Sequence, residues 1–123
     1  MASFETVAKQ FVDFYYTTFD TDRKQLAALY RDNSMLTFES GQQLGATNIT
    51  EKLLSLPFQK VAHKIEMLDA QPTATGGIMI LVIGKLLVDE EQQPLSYSQA
   101  FHLTQDSNGQ YFVYNDIFRL VYG

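Results

Sequence analysis

The chain has no cysteine, which excludes a disulfide framework and any thiolate metal site and is compatible with a reducing compartment. No stretch approaches the roughly 18 uncharged apolar residues that a membrane-spanning helix requires. The opening MASFETVAKQF lacks the basic-then-apolar order of a secretory leader, so a soluble protein is expected. Basic residues are scarce: nine Lys and Arg stand against fourteen Asp and Glu, a formal net charge of -5. Neutralising phosphates takes clustered Lys and Arg, so bare nucleic acid is a poor partner and a basic protein surface a better one. The two histidines, His63 and His102, stand apart without metal-ligand spacing, and each defaults to a packed or hydrogen-bonded side chain. No Gly-x-Ser-x-Gly elbow occurs. Gly77 to Lys85 looks only superficially like a phosphate loop, because the spacing is wrong, Leu86 follows the lysine and the segment has strand character. Asn48-Ile49-Thr50 is a glycosylation sequon, without consequence unless the chain is secreted. Neither a metal nor a cofactor is expected. With no repeats, linkers or low-complexity tracts, residues 1–123 are expected to form one domain around a single core.

What is present falls into two halves. Phe4, Val7, Ala8, Phe11, Phe14, Tyr15 and Thr18 recur at i, i+3, i+4, i+7, which predicts a helix from about Ser3 to Phe19. Asp20, Thr21 and Asp22 offer caps for a second, short helix with Leu26, Leu29 and Tyr30 on one side. SMLTFES reads as a short strand, Gly41 and Gly45 bracket a turn, and Thr47 or Asn48 caps a third helix that Pro57 stops near Ser55. After Pro57 the period changes. Segments near 59–70, 78–89, 95–105 and 111–122 have strand length and are separated by turn signals at QPTATGG, EEQQP and TQDSNG, an antiparallel meander. Helices followed by sheet give an α+β class, with three N-terminal helices on one face of a strongly bent, mixed or antiparallel sheet.

The other face is apolar as well. GGIMILVIGKLLV, with Leu81 at its middle, is apolar at nearly every position. In the last strand Phe112, Tyr114, Phe118 and Leu120 alternate with Tyr111, Val113, Ile117 and Val121. A two-faced antiparallel sheet in a small domain needs a cover, read here as a second copy meeting it sheet to sheet, with Ile117 and Leu81 in the interface.

Acids are the remaining signal. Asp89, Glu90 and Glu91 stand in a row at a hairpin turn, where the bland reading is solvation. Glu39 ends the strand MLTFE, and closeness to that turn would give the group a purpose. Asp116 shares its strand face with Phe118, so its carboxyl must be paired or its pKa will rise; it serves either as a structural hydrogen-bonding group or as a general acid or base.

FYYTTFDTDRKQLAALY, SMLTFE, SLPFQKVAH, LDAQP, the DEE turn and NDIFRL, in that order and spacing, resemble the nuclear transport factor 2 family over essentially the whole chain. Fungal members are the nearest in flavour, with phenylalanine instead of tryptophan near the N-terminus. The resemblance implies a cone-shaped α+β fold, a homodimer and no catalysis. It implies a carrier that binds the GDP-bound form of the small GTPase Ran and the Phe-x-Phe-Gly repeats of nucleoporins. Such a carrier works in cytoplasm and nucleus and concentrates at the nuclear pore. Carried over residue by residue, the Ran-binding acids fall on Glu39, Asp89 and Glu91, the last often Asp in relatives. His63 supports the same mouth. Phe38, Leu56, Phe58, Leu86, Tyr97 and Phe118 are the expected walls of a cavity that takes an aromatic side chain of Ran, and Phe4 is the expected contact for the repeats. The alternative is a cone-fold isomerase or dehydratase, with Asp116 or His63 as proton carrier and Tyr16 polarising a carbonyl.

Overall fold

Helix α1 (Phe4–Thr21) starts where the Ser3 hydroxyl accepts the Thr6 N–H at 3.2 Å, a side-chain cap on an otherwise unpaired donor. The computed structural model describes residues 3–56, 60–89 and 93–121. The α1 stripe buries Ala8, Val12, Tyr15, Tyr16 and Phe19 against the sheet. The expected second helix is a 3-10 helix, Arg23–Leu29. Its tighter winding puts Leu26 and Leu29 on one side three residues apart, and the chain leaves it directly into β1 (Tyr30–Phe38). Asp22 does not cap it; its carboxylate accepts from the Gln25 amide instead.

Strand β2 (Gly41–Leu44) was not foreseen, since GQQL offers one apolar residue. It pairs antiparallel with β1 through a two-residue turn, with Phe38 opposite Gly41. Glu39 and Ser40 both take positive φ, 52° and 77°, as a turn matched to strand twist demands, although neither is the Asn or Gly that usually advertises it. Helix α2 (Ala46–Leu54) is entered through Gly45, whose φ of 89° suits glycine, so Thr47 and Asn48 lie inside the helix rather than at its cap.

The meander follows as β3 (Val61–Pro72), β4 (Ile78–Val88), β5 (Leu95–Gln105) and β6 (Tyr111–Leu120). Sheet order is β2-β1-β6-β5-β4-β3, antiparallel throughout except for the parallel pair β1–β6. The result is the six-stranded mixed, curled sheet of a cone-shaped α+β fold, with the helices on its inner side; α2 comes after two strands rather than before them. The curl has identifiable causes. Glu66 is an extra residue in β3, and beside it Gly84 pairs with Ile65 at a point where a Cβ would meet Lys64 O at 2.3 Å. Tyr114 is the extra residue in β6, between the pairs Leu103–Val113 and His102–Asn115.

That bulge corrects the expected faces of β6. It switches the alternation, so Phe112, Val113, Asp116 and Phe118 are buried while Tyr114 and Ile117 are exposed. The outer face is apolar, as the pattern required. Asp69, Leu81, Ala100 and Ile117 form one cross-strand row, flanked by exposed Met67, Met79 and Ile83. Leu81 is 44% exposed and Ile117 50%.

Candidate functional site

Between the helices and the inner face lies a cavity lined by Tyr15 and Phe19 of α1, Leu36 and Phe38 of β1, and Leu53 of α2. Val61, His63, Leu86, Gln99 and Phe118 of the meander complete it among the described residues. Its volume with the open mouth is ≈ 340 Å³, but the interior is tight, with room for about one water. Phe38 and Phe118 stack as one wall, centroids 4.7 Å apart and nearly parallel, and Tyr97 stacks on the far side of Phe118 at 5.4 Å.

Of the residues expected from sequence, Phe38, Leu86, Phe118 and His63 line this cavity. Tyr97 is fully buried behind it, and Leu56 packs against the core without being among the lining residues. Phe58, like Pro57, Glu90 and Glu91, lies outside the described residues. Tyr15, Phe19, Leu36, Leu53, Val61 and Gln99 were missed as wall residues. Phe19 and Tyr15 carried a signal, since they sit one helical turn apart on the buried stripe; Val61 and Gln99 carried none.

Glu39 and Asp89 share an unusual geometry. Both have positive φ, 52° and 50°. In each, one carboxylate oxygen is already held by a backbone N–H: Glu39 Oε1 accepts from Leu120, and Asp89 Oδ1 accepts from Lys60 at 3.0 Å. Backbone bonds fasten the same positions, Glu39 N–H to Phe118 O at 3.1 Å and Asp89 N–H to Lys60 O at 2.7 Å. Glu39 directly follows the wall residue Phe38, and Lys60 directly precedes Val61. Backbone bonds therefore fix both acids next to chain segments that line the cavity. Arg23 stands over the Phe19 ring at 4.8 Å and donates to Leu53 O at 3.1 Å. Burial pulls its pKa down while Asp20, then Asp89, push it up.

His63 is held by Asp20. Its backbone N–H donates to Asp20 Oδ2 at 3.1 Å, and Nδ1 lies 2.7 Å from Oδ1. Behind the cavity, Asp116 accepts from Tyr30 at 2.8 Å, Tyr15 at 3.2 Å and the Gln99 amide at 2.8 Å, while Gln99 Oε1 accepts from Tyr16 at 2.8 Å. Burial pushes the Asp116 carboxyl up to about 6, against the pull of its three donors. The Tyr15 and Tyr30 hydroxyls are raised by burial and by the nearby Asp116 charge. Asp116 is 1% exposed and is not among the residues that line the cavity, so the geometry suits holding α1, β1 and β5 together rather than meeting a substrate. Among the described residues, no group of three His, Asp or Glu is placed to hold a metal ion, and no helix is long and apolar enough to cross a membrane. Phe4 sits half-buried in the first turn of α1, next to an open groove bounded by Ser3, Glu5, Thr6, Lys9, Leu68, Asp69 and Ala70.

Residues 7–120 match the family described as the nuclear transport factor 2 domain. The chain is 70% identical over 118 residues to nuclear transport factor 2 of Neurospora crassa, covering 96% of this chain and 95% of that one. It is 58% identical over 120 residues to the protein of the same name from Saccharomyces cerevisiae, at 97% and 95% coverage. The solved structure of nuclear transport factor 2 from Cryptosporidium parvum superposes with a TM-score of 0.91 at 43% identity, covering 96% of this chain and 94% of that one.

Proposed function

This chain belongs to the nuclear transport factor 2 family, and we propose that it is a homodimeric carrier that binds GDP-bound Ran and brings it into the nucleus through the pore. Its work is nuclear transport, and its relatives are named for transport rather than for a reaction. In this reading Glu39, Asp89 and Glu91 meet basic Ran side chains, with His63 at the same mouth. An aromatic side chain of Ran enters between Phe38, Leu86 and Phe118, and Phe58, Leu56 and Tyr97 support the wall. Phe4 contacts Phe-x-Phe-Gly nucleoporin repeats, and Ile117 and Leu81 lie in the dimer interface. The carrier shuttles between cytoplasm and nucleus and is enriched at the pore.

The observation that supports this best is the paired geometry of Glu39 and Asp89. A left-handed backbone is unfavourable for most residues, and here it occurs at half-buried Glu39, directly after the wall residue Phe38, and at exposed Asp89, bonded to the residue before Val61. Each carboxylate is pre-oriented by a backbone N–H held on one of its oxygens. Less side-chain freedom is then lost on docking, and summed acidic charge steers a basic surface toward the cavity. The tight interior adds a condition: an aromatic ring enters only as the mouth widens, so the anchor binds by displacing the closed wall. Withdrawal of that anchor when a Ran switch segment rearranges with GTP gives nucleotide discrimination without nucleotide contact. Calorimetric titration with GDP-Ran and GTP-Ran tests the proposal. Binding of the GDP form alone is expected, and equal affinity for both, or for neither, refutes it.

A further inference from the structure

Helix α1 carries an acid, Asp20, in its last turn, where the helix dipole disfavours one, and no basic residue stands there. Asp20 reaches instead across to β3, 43 positions onward, and takes the backbone N–H and the Nδ1 side of the same residue, His63. A carboxylate at Nδ1 needs the proton on that nitrogen, which leaves Nε2 as the acceptor of the neutral ring. Tyr16 stacks on the imidazole at 4.3 Å with an interplanar angle of 14°. Phe19 and Tyr97 press against it edge-on at 5.1 and 5.6 Å. The side chain is 3% exposed, yet it lines the cavity. A local rule broken at a helix end, in order to lock a buried ring into a cavity wall, is how supporting residues serve a binding site.

We infer that Asp20 is a positioning residue for the docking cavity, acting through His63 by fixing its ring plane and its tautomer. The inference rests on the reading of this cavity as the GDP-Ran site. A ring so fixed presents one polar atom and one shape to an entering aromatic side chain, whereas a free imidazole would sample flips and both tautomers. Removing the carboxylate leaves every wall residue in place and changes what the wall presents.

The test uses the full chain as wild type, Asp20→Asn, Asp20→Glu, His63→Phe and the double variant Asp20→Asn/His63→Phe. Long-range proton–nitrogen NMR at about pH 8, where a free histidine is neutral, reads the His63 ring nitrogens without Ran. Calorimetry then reads GDP-Ran affinity. The wild type is expected to carry its proton on Nδ1, and Asp20→Asn to shift toward the Nε2 tautomer. Asp20→Asn should bind Ran about tenfold more weakly, within the range of measured couplings between neighbours. The double variant should lose no more than His63→Phe alone. Asp20→Glu, which keeps the charge, should retain the Nδ1 proton and most of the affinity, and it carries the comparison if Asp20→Asn does not fold. An Nε2 proton in the wild type, unchanged nitrogen signals in Asp20→Asn, or additive losses in the double variant overturn the inference. Failure of the wild type to bind GDP-Ran would defeat the docking reading instead, while the NMR result would still judge the tautomer.

Discussion

Tyr30 donates to Asp116 at 2.8 Å across 86 positions of sequence, and the described partners of that carboxylate are hydroxyls and an amide, with no cation among them. Burial raises Asp116 to about 6, so the folded chain holds its proton more tightly than the unfolded chain does. Its favourable contribution is then fully present below about pH 4, lost as pH climbs, and gone above about pH 6, a span of about 3 kcal/mol at most. Asp116→Asn has no such proton. The difference in unfolding free energy between wild type and this variant, measured in urea from pH 4 to pH 7, should move against the wild type as pH rises. A difference that stays flat contradicts the assignment.

Gly84 is where the sheet bends. An added Cβ there would meet Lys64 O at 2.3 Å and Tyr97 Oη at 2.9 Å, and the first contact is with backbone that has to shift. Gly84→Ala should lower stability by at least about 2 kcal/mol, as overpacking does. A thermal melt indistinguishable from wild type would show that the bend relaxes without strain.

Glu39 has a bond within the fold and a proposed place against Ran, and two substitutions separate them. Glu39→Lys removes the acceptor for the Leu120 N–H as well as the charge, so it should cost about 1 kcal/mol of stability and leave GDP-Ran binding undetectable. Glu39→Gln keeps an acceptor for Leu120 and loses only the charge. It should melt like wild type and still weaken Ran binding by about 2 kcal/mol or more. Asp89→Asn should weaken binding too, and the wild-type association rate should fall with added salt. Wild-type affinity in Glu39→Gln and Asp89→Asn would return both acids to a purely structural role.

The outer face predicts a dimer. Ile117→Asp places an uncompensated charge at the β6 end of the row Asp69, Leu81, Ala100, Ile117, and burying it against a second copy would cost several kcal/mol. Sedimentation should show a wild-type dimer at micromolar concentration and a monomeric variant. A monomeric wild type would remove the basis for the interface.

Phe4 tests whether the two binding surfaces are separate. Phe4→Ala should weaken binding of Phe-x-Phe-Gly peptides in a fluorescence titration and leave GDP-Ran affinity nearly unchanged. Parallel loss of both activities would mean that the first turn of α1 had loosened, and Phe4 would be a packing residue only.

The strands of the meander were readable from their length and from the turn signals between them, although β4 is apolar at nearly every position while its burial alternates from Ile78 to Leu86. The α1 stripe was readable because its apolar residues keep the helical period. What stayed hidden depends on the partner strand. A bulge at Tyr114 changes the faces of half of β6 without changing its composition, and β2 exists only because β1 lies beside it. The cavity was half legible. Phe38, Leu86 and Phe118 were named from the resemblance, whereas Val61, Gln99 and the Asp20–His63 pair come together only through the sheet curl that brings β3 under the end of α1. The bond from Leu120 to Glu39 has no sequence signature at all.

The parallel pairing of β1 with β6 has a consequence for how the chain comes into being. Tyr15 reaches Asp116 over 101 positions, Tyr30 over 86, and Glu39 meets Leu120 over 81. During synthesis β1 therefore emerges with only β2 as a sheet neighbour, and the second edge of its Leu36–Phe38 segment waits until β6 follows. Such distant contacts make folding slow compared with a helical bundle of similar size, and they leave an apolar hairpin exposed to chaperones in the interval. A chain stalled before Tyr111 would have neither the stacked wall of Phe38 and Phe118 nor the bond that orients Glu39. On the proposed reading, competence to hold cargo would arrive in a single step with β6, and a half-made chain would have no cavity with which to sequester a partner.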